Sequence, residues 1–177
     1  PPVWMFPPTL EYYPLAFLQH EIYKNLLNSV IVALGATTLS IAIGVPCSYT
    51  LSRFRTKASE NVATWILTTR MGLPIVFAIP FFLLFSSLKL LDTQVGLILA
   101  HITFILPFVI WMMKGFLDEI PRELEEAALV DGCSVGQAFL RVVTPLVAPG
   151  MVATAVFAII FSWNEFLFAM VLTSSKA

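Results

Sequence analysis

Four long stretches of the chain are almost wholly apolar, and the polar residues gather between them. A helix that crosses hydrocarbon needs about 20 mostly apolar residues, since no water is present there to satisfy open backbone groups. By that measure residues 26–50, 64–88, 95–117 and 150–173 each predict a spanning helix. The first carries no charge. The second holds Arg70 near its start with Pro74 and Pro80 inside, and the third holds His101, Pro107 and a late Lys114. Only Asn164 and Glu165 interrupt the fourth. Residues 1–25 read as an external, interfacial segment rich in proline and aromatics, with Trp4, Tyr12 and Tyr13 at headgroup level.

The expected fold class is therefore an all-α membrane protein, a polytopic helical bundle. Lysine and arginine set its orientation. Residues 51–63 carry Arg53, Arg55 and Lys57, and residues 118–149 carry Arg122 and Arg141, with Lys114 at the edge. The other side has Lys24, Lys89 and Lys176. The richer side should be cytoplasmic, so the chain starts outside. It opens at Pro1 with no signal-peptide pattern, which suggests a helix missing upstream.

The loop at 118–149 is the longest polar stretch. Pro121 can open a helix, Glu123, Glu125 and Glu126 suit its first turns, and Asp131-Gly132 should stop it. Leu124, Ala127, Ala128 and Asp131 are expected to share one face, whose small residues would let another backbone come close. Ser134, with Gln137 three residues on, predicts a capping box that opens a second helix, which Pro145 should end. On these signals alone the loop is equally a plain connector.

Composition agrees with the pattern. The 177 residues are 58% hydrophobic and 12% charged, with mean hydropathy +0.87, against about a quarter charged in soluble domains. Net charge is −1, which leaves no basic field for nucleic acid. Of the 21 charged side chains, eight lie between Asp118 and Arg141. Two cysteines, not spaced as CxxC, make no disulfide framework, and His20 with His101 makes a poor metal site. Neither a Ser-His-Asp set nor a carboxylate pair suggests catalysis.

The run Glu126-Ala127-Ala128, then Gly132, with Pro145 thirteen further on, resembles the EAA motif of binding-protein-dependent ABC importer permeases. IPRELEEAALVDG is similar to the carbohydrate-uptake branch, the maltose- and glycerol-3-phosphate-type permeases. So are LLNSVIVALGATTLSIAIGVPCSYTLSRF, LLDTQVGLILAHITFILPFVIWMMKGF and FSWNEFLFAM. Departures are Thr144 where leucine is usual, Cys133 where alanine is common, and Pro46-Cys47-Ser48-Tyr49 in place of an Ala-rich turn. None touches the Glu-Ala-Ala and Gly core.

The resemblance implies six spans, hence one missing at each end, in a bacterial or archaeal cytoplasmic membrane. It implies a non-catalytic permease subunit for a sugar or sugar derivative. Its partners would be a second homologous permease, two ATPase subunits and an external substrate-binding protein, with lipid around it. Glu126, Ala127, Ala128 and Gly132 would form a coupling helix seated on the ATPase, bordered by Glu125 and Asp131. No GxxxxGK[ST] phosphate loop occurs, so ATP and Mg²⁺ are expected on the ATPase subunits and no cofactor on this chain.

Intramembrane polar residues default to functional candidates. Trp163, Asn164 and Glu165 are expected on the solute path, with helix bracing the competing role for each. Arg70 is expected to snorkel to the headgroups, and His101 and Thr103 to make packing hydrogen bonds. Pro46, Pro74, Pro80 and Pro107 are candidate kinks. A polyol, glycerol phosphate or phosphodiester would suit the same machinery. A secondary transporter would instead call for paired intramembrane charges or inverted repeats, and the sequence has neither. A structural membrane subunit would leave the EAA loop unexplained.

Overall fold

The computed structural model describes residues 22–54, 56–69 and 72–173. Expectations for Trp4, Tyr12, Tyr13, His20, Arg55, Arg70 and Lys176 fall outside the described residues. The described residues form helices and turns, with no strand among them. Among the described residues, three helices are long and apolar enough to cross a membrane, or four if one bent pair counts as a span.

Helix α1 (Ile22–Arg53) is 32 residues long, overrunning the predicted 26–50 at both ends. Its buried stripe is mostly small: Ala33, Ala36, Thr37, Ser40, Gly44 and Ser48 recur at helical spacing. Lipid tails offer no hydrophobic drive to join helices, so close approach over small residues has to hold them. A Cβ on Gly44 would stand 2.7 Å from Val109 Cγ1 of helix α4 (Gln94–Asp118). The α1–α4 pair is accordingly the most extensive helix contact among the described residues. Pro46 and Pro107 are absorbed inside α1 and α4 without ending them.

Between them, the expected span at 64–88 falls on two helices, α2 (Lys57–Thr69) and α3 (Pro74–Ser87), bent 90° to one another. Pro74 explains the restart. It occupies the first turn of α3, where its missing N–H is not needed, and it forces Leu73 into an extended conformation (φ −66°, ψ 123°). Pro80 stays within α3.

After α4 come the short helices α5 (Glu123–Val130) and α6 (Val135–Ala138), a π-helical turn over Phe139–Val143, and α7 (Thr144–Trp163). Pro145 does not end the second loop helix as expected. The Thr144 N–H reaches back to Phe139 O, and its hydroxyl donates to the same carbonyl at 2.9 Å. This wider turn gives the Pro145 ring room, so the helix runs through from Val135 to Trp163. The fourth span also differs from 150–173: α7 stops at Trp163, and a separate helix α8 (Leu167–Leu172) follows.

One buried core joins α1, α4 and α7 through Val45, Phe108, Val109, Met113, Leu117 and Val147. A second centres on Phe168 of α8, whose ring lies 4.8 Å from Phe104 and 5.5 Å from Phe81. Aromatic packing thus fixes a helix too short to hold itself.

Candidate functional site

Two polar regions stand out, one at each end of α1. At the Arg53 end, α5 is built by local signals. Three glutamates occupy its first turn. It stops where Gly132 N–H bonds Leu129 O and Cys133 N–H bonds Ala128 O, both at 3.0 Å, with Gly132 at φ +91°. That crossed pair needs a left-handed residue, which glycine supplies. Ser134 and Gln137 then cap α6 reciprocally, at 2.9 and 3.3 Å.

α5 has two faces, and they divide the EAA residues. Glu126, Ala127, Asp131 and Gly132 are exposed, beside Val130 at 87%. Ala128 turns inward at 8%, so Ala127 and Ala128 do not form the single flat face expected. Glu125 does not border the exposed face as expected either, but lies beneath it, also at 8%.

Glu125 is held from α1. Tyr49 OH donates to its Oε2 at 2.9 Å, and Arg53 donates to Oε1. Arg53 also donates to Leu117 O at the end of α4, at 3.2 Å. Around this pair, Ser52 Oγ and Lys114 Nζ each donate to Asp118 at 2.6 Å, and Arg122 donates to Ser52 O at 3.1 Å. The result is a clamp that ties the ends of α1 and α4 to α5. Sequence reasoning counted Arg53, Lys114 and Arg122 only as topology charges. Nothing local links positions 72 residues apart, and the one available signal was that a glutamate turned inward needs a cationic partner.

At the opposite end, Asn164 and Glu165 lie in the break between α7 and α8 rather than inside a continuous span. Asn164 N and Nδ2 both donate to Ile160 O, at 3.1 and 2.9 Å, closing α7. Glu165 Oε1 accepts Phe168 N–H at 3.2 Å, opening α8. Both side chains therefore shape the break.

Two clefts meet there, of about 290 and 160 Å³, and share His101, Ser162 and Glu165. Phe104, Phe161 and Asn164 border the larger. The smaller is bordered by Trp163, half-exposed, and by Asn25, Asn28 and Ser29 of α1. His101 Nδ1 and Ser162 Oγ share a 2.7 Å hydrogen bond across α4 and α7, while Nε2 is buried without a partner among the described residues. The packing hydrogen bond expected of His101 is present, and its place in the wall of both clefts was not foreseen. Thr103 only donates to Leu99 O in its own helix.

Residues 40–177 match the family described as binding-protein-dependent transport system inner membrane component. The chain is 38% identical over 169 residues to the trehalose transport system permease protein SugB of Mycobacterium tuberculosis, covering 96% of this chain and 62% of that one. It is 36% identical over 166 residues to the diacetylchitobiose uptake system permease protein DasC of Streptomyces coelicolor, covering 93% and 60%. Among solved structures, a chain of a bacterial ABC transporter involved in import of the acidic polysaccharide alginate is similar with TM-score 0.79 and 25% identity, covering 99% and 62%. The chain thus spans about three fifths of the length of these relatives.

Proposed function

The chain belongs to the binding-protein-dependent transport inner membrane components, and from that premise we propose that it is the permease part of an ATP-driven importer for a sugar or sugar derivative. Two relatives named for trehalose and diacetylchitobiose transport support the cargo class. The partners would be a second permease, two ATPase subunits that hold ATP and Mg²⁺, and an external binding protein. The Arg53 end would face the cytoplasm.

One observation carries the reading. Glu126, Ala127, Val130, Asp131 and Gly132 form an exposed surface on a helix clamped rigidly to two spans. Seated in a groove of an ATPase subunit, such a helix would convert closure of that subunit into rigid-body motion of the bundle. The test is Gly132→Leu or Glu126→Lys in the reconstituted transporter. A Cβ at Gly132 meets nothing within 4 Å, so the fold should lose only the left-handed penalty of about 1–2 kcal/mol. Uptake should nevertheless be lost, with substrate-stimulated ATPase activity abolished. Unchanged uptake and stimulation would sink the coupling role.

Solute would pass the clefts beside Trp163 and Glu165. Glu165 Oε1 is engaged as a cap, which leaves its other oxygen to accept sugar hydroxyls, while Trp163 offers a ring face for a sugar ring. A carboxylate there favours a hydroxyl-rich neutral cargo over a phosphate. Glu165→Gln preserves the cap to Phe168 but removes the charge-assisted bond. Uptake at saturating binding protein should then fall about tenfold. An unchanged rate would mean that Glu165 only braces the break.

A further inference from the structure

The chain joins α5 covalently to α4 on one side and, through α6, to α7 on the other, yet its most deeply set polar contacts reach α1. Arg53 and Tyr49 converge on Glu125, whose pair with Arg53 leaves the two side chains only 9% and 11% exposed. Ser52 adds bonds to Asp118 and Arg122. α1 is a single helix from Arg53 to the smaller cleft, where Asn25, Asn28 and Ser29 face His101 and Glu165. From Ser29 to Arg53 is about 36 Å at 1.5 Å per residue.

We infer that Arg53 and Glu125 are positioning residues that make α1 a strut, carrying motion of the coupling helix to the cleft wall at its far end. The inference rests on the importer reading and adds a route that this reading does not contain. α5 moves α4 and α7 through the backbone. It holds α1 directly through the Arg53–Glu125 pair and the Tyr49 and Arg122 bonds beside it, in addition to the packing of α1 on α4, and so sets when the α1 side of the cleft opens. A buried pair suits this use, because its strict geometry holds two elements in one register. Glu125 is thereby distinguished from its neighbour Glu126, which faces outward.

The strut can be tested in the full transporter, assembled with its ATPase subunits in lipid nanodiscs. Cys47 and Cys133, both free thiols, are first replaced by serine, and Ser29→Cys then reports on the cleft through its reaction rate with a membrane-impermeant maleimide. Between the nucleotide-free and ATP–vanadate-trapped states this rate should change by about fivefold or more. In Glu125→Gln, which retains acceptors for Tyr49 and Arg53, and in Arg53→Glu, the change should shrink to less than about twofold, with the ATPase subunits still bound and hydrolysing ATP. The exchange Arg53→Glu with Glu125→Arg should restore it. A full nucleotide-dependent change in the single variants would overturn the strut and leave the importer reading standing. An unaltered chain that binds no ATPase subunit would overturn that reading, and the strut with it.

Discussion

Ala127→Trp should release the ATPase subunit while the permease stays folded. Ala127 lies on the exposed face of α5, between Glu126 and Val130. An indole there intrudes only on whatever docks against that face. Overpacking a close contact costs about 1–3 kcal/mol, or roughly 10- to 100-fold in affinity. Co-purification through a tag on the permease should show the ATPase subunit lost and the permease unchanged in amount and elution. Ala128→Trp should behave differently. That position is 8% exposed, so the indole should disrupt the chain itself. If the two variants behave alike, the division of the motif between two faces is wrong.

Glu125→Ala and Glu126→Ala should part as sharply. Removing Glu125 strands the Arg53 guanidinium in a nearly closed site and leaves the Tyr49 hydroxyl without its acceptor. Breaking a buried pair from one side costs about 3–5 kcal/mol, which corresponds to a fall in melting temperature on the order of 10 °C. Glu126→Ala, on the exposed face, should stay within about 0.5 kcal/mol. Thermal unfolding of the purified chain separates the two. Replacing both partners, as Arg53→Met with Glu125→Leu, should recover most of the stability, since an apolar pair fills the same space with no charge to desolvate. Equal melting temperatures for the two single variants would contradict the burial of Glu125.

Signals confined to a few residues are legible in the sequence itself. Gly132 stops α5, and Ser134 with Gln137 caps α6, because those hydrogen bonds close within a turn of their own residues. The apolar stretches were equally plain. The prolines were not, because the effect of each depends on its surroundings. Pro46, Pro80 and Pro107 sit inside helices, Pro74 restarts one, and Pro145 is taken up by a wider turn. Asn164 and Glu165 drew attention as polar residues in an apolar run, but nothing in the run showed that their side chains cap two separate helices. The bond between Arg53 and Glu125 spans 72 positions, and only the folded bundle brings them together. Helix periodicity put Ala127 and Ala128 on one face, and the inward turn of Ala128 follows from where Glu125 finds its partner.

Accumulation of a labelled sugar that the external binding protein retains, in proteoliposomes that hold the full transporter with the proposed ATPase subunits and that binding protein, tests the central claim most directly. Uptake should require ATP on the side of the Arg53 end, survive collapse of ion gradients by ionophores, and vanish in Ala127→Trp. Uptake that runs without ATP and stops when the gradients collapse would contradict the account.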